Sequence, residues 1–182
     1  LRNWDISDEQ VKSLAKSGEA HRTLIGHFRH EIGHYYWDVL VKGRREDECS
    51  AVFGDHEQPT YAEALETYYQ NGPQPDWPTR YISAYATMHP WEDFAETWAT
   101  YLDMISGLDT AHHMGFGGEH DPVHADLDQM VARYQQLGIA LNEINRAMGK
   151  RPLYPFVLRP AVTRKLELVH DLCTSEHWVV PA

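Results

Sequence analysis

The chain has 182 residues, 42% of them hydrophobic and 12% aromatic, enough apolar side chain to bury a core, which argues against global disorder. Its formal charge is −11, from 27 acidic against 16 basic residues, which argues against binding nucleic acid or an anionic membrane through a basic face. No apolar run approaches the roughly 18–20 residues needed to span a bilayer.

In chain order, Ser7 reads as the N-cap of a short helix that Gly18 ends. From Glu19 to Val41, Leu24, Ile25, Phe28, Ile32, Tyr35, Tyr36, Val39 and Leu40 recur at spacings of three and four. That period predicts a long helix with an apolar face, and Gly43 is placed to follow its cap. A short helix over Glu48–Phe53 closes at Gly54 and Asp55. Pro59 to Gln70 predicts another, with Pro59 at its start and Asn71-Gly72 at its stop. Residues 72–79 form a proline-rich rigid loop. Pro90 to Ser106 is helical, and the glycine- and histidine-rich stretch 107–122 reads as a loop. Helices are expected over 123–137 and 139–148, an extended connector over Arg151–Phe156, and a last helix over Pro160–Thr174. Strand signals amount to one short hairpin at most, so the expected fold is mainly α. No internal boundary divides residues 1–182.

The two cysteines, Cys49 and Cys173, make no Cys-x-x-Cys pair, which excludes a thiolate zinc knuckle within this chain. Nothing demands a disulfide, no secretory signal is visible, and a reduced, cytoplasmic protein is the expectation. The chain starts at Leu1 rather than Met, so a preceding segment is expected.

Histidine is abundant, with 12 in the chain, so spacing must separate metal chemistry from accident. His30 and His34 stand four apart on the first long helix, which puts both imidazoles on one face, one turn apart. Two neutral imidazoles so placed can reach one zinc at about 2.0–2.1 Å. Glu31 lies beside them, where a carboxylate can take a proton from water and deliver it to a leaving amine. Gly33 leaves room near the metal for substrate or for a neighbouring chain. The alternative is a chance match on an amphipathic helix.

A second stretch shifts that balance. A catalytic zinc needs a third protein ligand and an open position. Glu92 and Glu96 are also four apart, interleaved with Trp91, Phe94 and Trp98. One acid can bind zinc while the other holds the free N–H of a ligand histidine. An ordinary solvated acidic face would instead keep both carboxylates away from the aromatic stripe.

The runs from Gly26 to Trp37 and from Ser83 to Trp98 resemble the bacterial putative zinc-binding metallopeptidases. The similarity continues through Leu153–Leu158 and Lys165–His170, so it covers most of the chain. More distantly the arrangement is similar to the gluzincins. The resemblance implies a zincin-like domain, Zn²⁺ as cofactor, and a peptide or protein as substrate. It further implies His30, His34 and Glu92 as metal ligands, Glu31 as the base, and Glu96 behind a ligand histidine. Tyr85, seven residues before Glu92, takes the offset of an oxyanion-stabilising tyrosine in lethal-factor-type enzymes. Family members often carry an N-terminal zinc ribbon, which this chain lacks. Gluzincins also place a sheet edge before the zinc helix, and no such strand is read between Leu1 and Glu19.

His112, His113, His120 and His124 match no defined metal spacing and read as a polar loop. His89 is expected to cap the second helix, with contact to substrate as the alternative, and His170 to be a satisfied core histidine. Two rivals to a peptidase remain at this stage: a zinc amidase for a small or modified substrate, and a non-catalytic module whose zinc a fourth protein ligand closes.

Overall fold

The structure, a computed structural model, describes residues 23–116, 121, 124–152 and 157–175. These residues form six α-helices and no strand: α1 (Leu24–Tyr36), α2 (Glu46–Phe53), α3 (Tyr61–Asn71), α4 (Pro90–His113), α5 (Leu127–Ala147) and α6 (Pro160–Thr174). The mainly α expectation holds for them. The Ser7 helix, the first residues of the zinc-motif helix and positions 153–156 of the connector lie outside the described residues.

α4 is the axis of the fold, and α1, α2, α5 and α6 all pack against it. It starts where His89 caps it, the ring Nδ1 accepting from Trp91 N at 3.1 Å, with Pro90 in the first turn. Every residue from Glu92 to Tyr101 is buried. A helix enclosed on all sides must satisfy its own polar groups. Asp93 does so at one oxygen, Oδ2, where Lys165 Nζ of α6 lies 2.6 Å away and also donates to Arg80 O at 2.8 Å. Around α4, Trp37, Val41, Phe94, Trp98, Tyr101, Met104, Met130, Leu166 and Val169 form one buried cluster.

α1 turns an unexpected face inward. Leu24, Ile25, Phe28 and Tyr35, part of its apolar pattern, are exposed. Gly26, His30 and Gly33 are buried instead, with Trp37 just beyond. The reason is close packing: a Cβ on Gly33 would lie 3.0 Å from Ala95 Cα and 3.1 Å from Trp98 Cβ. α1 can lie this near α4 only because Gly33 has no side chain. Arg29 pins the pair further, bonding Asp103 and, at 2.8 Å, Ser106 Oγ. The helix then loosens into a π segment over Trp37–Val41, and Gly43 follows its cap at φ 68°.

Predicted boundaries move in α3, α4 and α5. α3 begins at Tyr61, because Thr60 caps it in a reciprocal box with Glu63 and Pro59 stays outside. α4 runs on to His113, through the stretch read as loop from residue 107. Gly107 there is a packing glycine rather than a breaker, since a Cβ would meet Tyr134 of α5 at 3.3 Å. α5 is one helix through the buried Gly138, not two. Cys49 and Cys173 are not joined in a disulfide. Among the described residues no helix is long and apolar enough to cross a membrane.

Candidate metal centre

Three atoms from two helices converge where α1 meets the first turns of α4. His30 Nε2 stands 3.2 Å from His34 Nε2 and 3.0 Å from Glu92 Oε2, and His34 Nε2 stands 3.4 Å from Glu92 Oε2. Two ligands at about 2.0–2.1 Å from a tetrahedral ion lie about 3.3 Å apart. The triangle therefore has the edge length that one zinc requires. Among the described residues this is the one cluster of such groups near enough to share an ion. Glu92 Oε2 is buried and, though close to both rings, makes no hydrogen bond.

Behind the triangle, Glu96 Oε1 lies 2.7 Å from His30 Nδ1. With Nδ1–H donating there, His30 Nε2 keeps its lone pair for the triangle. The other oxygen, Oε2, accepts from Ser83 Oγ at 2.7 Å, and Ser83 Oγ accepts from Ala86 N at 3.1 Å. Glu92 Oε2 lies within 3.4 Å of the Nε2 atoms of both imidazoles, whereas Glu96 meets His30 at Nδ1. Glu92 and Glu96 are 2% and 5% exposed, which excludes the solvated-face alternative.

Tyr61 and Ser83 belong to the site and were not foreseen. Tyr61 Oη donates to Glu92 Oε1 at 2.8 Å. Its ring lies 5.4 Å from His89 and 5.6 Å from Trp91, and Trp91 lies 3.8 Å from His34. Tyr85 is half-buried in a short 3₁₀ turn, its ring 6.1 Å from His30 and its hydroxyl paired with Tyr61. Glu31 is half-exposed, with Oε1 3.6 Å from His27 Nε2.

The charges are strongly coupled. Burial opposes a proton on His30, yet its pairing with Glu92 and Glu96 overrides burial and pushes the imidazole up to about 10. Burial likewise opposes charge on Glu92, and His30 with His34 overrides it, holding the carboxyl down at about 2. The centre is built to enclose positive charge. Two imidazoles and one carboxylate form a donor set suited to zinc, so the residues fit the ion on both distance and chemistry. Burial raises the Tyr85 phenol far above its usual range, so it stays a hydrogen-bond donor.

Other described histidines pair elsewhere. His170 Nδ1 pairs with Tyr101 Oη at 2.8 Å, so the ring is satisfied, though partly exposed rather than in the core. His113 bonds back to Asp109 O, and His124 pairs with Asp121 on the surface. A cavity of about 390 Å³ shares His89 and Tyr68 with the surroundings of Tyr61 and Tyr85, but none of the three triangle residues lines it.

A family model described as "putative zinc-binding metallo-peptidase" matches residues 5–172. The chain is 38% identical over 180 residues to an uncharacterized protein of Mycobacterium bovis and to uncharacterized proteins from two strains of Mycobacterium tuberculosis. Each match covers 92% of this chain and 51% of the relative, so the chain spans about half the length of the curated relatives it matches. No solved structure matches.

Proposed function

Because the chain belongs to the putative zinc-binding metallo-peptidase family, we propose that it is a zinc-dependent peptidase, its ion held by His30, His34 and Glu92. The observation that carries this reading is the triangle of His30 Nε2, His34 Nε2 and Glu92 Oε2, with edges of 3.0 to 3.4 Å. When bound, zinc supplies a Lewis acid that makes water acidic near neutral pH and polarises an amide carbonyl.

The chain's own side chains supply the rest. Glu31 takes the proton of the attacking water and hands it to the leaving amine. Its half-exposed carboxylate can meet both water and substrate. Tyr85 stays protonated and donates to the oxygen that gains negative charge. Glu96 holds the His30 ring through Nδ1 and is itself held by Ser83. The net charge of −11 disfavours strongly acidic peptides at long range.

The test is cleavage of an unbiased peptide library by zinc-loaded protein and by its Glu31→Gln variant. The expected result is cleavage by the parent, reduced at least ~100-fold in the variant while zinc stays bound. Equal turnover by both would remove Glu31 from its role. Cleavage of small amides but of no peptide would turn the reading to a small-molecule amidase.

A further inference from the structure

We propose that Tyr61 is a positioning residue for the metal: its phenol occupies Oε1 of Glu92, so that the carboxylate offers the ion one oxygen, Oε2, and not both. This rests on the reading of His30, His34 and Glu92 as the zinc centre.

The Tyr61 hydroxyl donates to Glu92 Oε1 at 2.8 Å, while Oε2 is the oxygen 3.0 Å from His30 Nε2 and 3.4 Å from His34 Nε2. The two oxygens of one carboxylate are thus divided between a phenol and the imidazole pair. A carboxylate free at both oxygens can bind an ion through both and so fill the position a substrate or water needs. Holding Oε1 by a hydrogen bond prevents that and fixes the angle of Oε2.

Tyr61 is itself fixed. It is the first residue of α3, whose opening turn is locked by the reciprocal Thr60–Glu63 box. His89 and Trp91 flank its ring, at 5.4 and 5.6 Å. Trp91 in turn lies 3.8 Å from His34, so one aromatic group steadies the carboxylate and an imidazole together.

The experiment is zinc affinity by competition with a chelator of known strength, for the parent, Tyr61→Phe, Glu92→Gln and Tyr69→Phe. Tyr69 is 76% exposed and serves as the control tyrosine. Phenylalanine keeps the ring contacts of Tyr61 and removes only the hydroxyl. Tyr61→Phe should weaken zinc binding by about 10- to 100-fold, with Tyr69→Phe unchanged and Glu92→Gln weaker still. The visible absorption of the cobalt(II)-loaded Tyr61→Phe protein should also shift towards higher coordination, which general loosening of the fold would not produce. Parent-like affinity and cobalt spectrum in Tyr61→Phe, with zinc lost in Glu92→Gln, would overturn the role of Tyr61 alone. Parent-like affinity in Glu92→Gln would overturn the zinc centre itself, and this inference with it.

Discussion

Glu96 Oε1 and His30 Nδ1 lie 2.7 Å apart inside the α1–α4 contact, and this bond decides which way the His30 ring faces. Replacing Glu96 with Gln keeps an acceptor but removes the charge that favours Nδ1–H. Zinc affinity, measured by chelator competition, should fall about 10-fold or more. Ser83→Ala removes the hydroxyl that donates to Glu96 Oε2 and should produce a smaller loss in the same direction. An unchanged affinity in both variants would mean that the ring is held by packing alone.

Gly33→Ala tests the closeness of the two helices. Alanine gains up to about 1 kcal/mol over glycine in helix propensity. Its Cβ, however, would sit 3.0 Å from the backbone Cα of Ala95, an atom that cannot swing away. The steric cost should win, with a net destabilisation of about 1–3 kcal/mol in denaturant unfolding and weaker zinc binding. A stabilised variant would show that α1 and α4 can part without penalty.

Chelator-stripped protein should show a pH profile set by His30 and Glu92. The folded-state pKa of His30, about 10, lies above its ordinary 6.5. Its stabilisation is therefore complete below 6.5 and lost as pH rises through about 10. Glu92 is depressed from 4.5 to about 2, so its share is complete above 4.5 and lost as pH falls through about 2. Both shifts describe the same contact and are not to be added. Unfolding midpoints of the stripped protein should fall between pH 7 and 10, and His30→Gln should flatten that limb. Zinc must also displace the His30 proton, so one proton should be released per ion bound near pH 8. A flat alkaline limb in the parent would contradict the assignment.

The buried Asp93–Lys165 pair gives a fourth expectation. Burial pushes the Asp93 carboxyl up to about 7, against the pull of the Lys165 ammonium. Lys165→Met leaves that acid without its partner and frees Arg80 O, just upstream of Ser83 and Tyr85. The cost should be about 3–5 kcal/mol in chemical denaturation. The double variant Asp93→Asn with Lys165→Met should recover much of it, since the unpaired charge is gone. Equal destabilisation by both would point to lost packing instead.

Much of the centre is legible in the sequence because it is local. Helical period alone sets His30 beside His34, and Glu92 one turn from Glu96. The interleaving of those acids with Trp91, Phe94 and Trp98 signals their burial, which the structure bears out. The partnerships of Tyr61 and Ser83 are tertiary and leave no periodic trace: Tyr61 is 31 residues from Glu92, and Ser83 is 13 from Glu96. Among ten tyrosines nothing marks Tyr61 out. The glycines mislead in the opposite sense. Gly107 and Gly138 look like breaks, but enclosed packing outweighs their weak propensity, and both stay helical. The inward face of α1 is obscured likewise, because close approach through Gly33 replaces the apolar contact that a periodic pattern leads one to expect.

Anomalous diffraction at the zinc edge, from crystals grown with one equivalent of zinc, tests the metal centre most directly. The account predicts a single peak about 2.0–2.2 Å from His30 Nε2, His34 Nε2 and Glu92 Oε2, with no fourth protein atom in contact. A peak ligated elsewhere, or one enclosed by a fourth side chain, would contradict it.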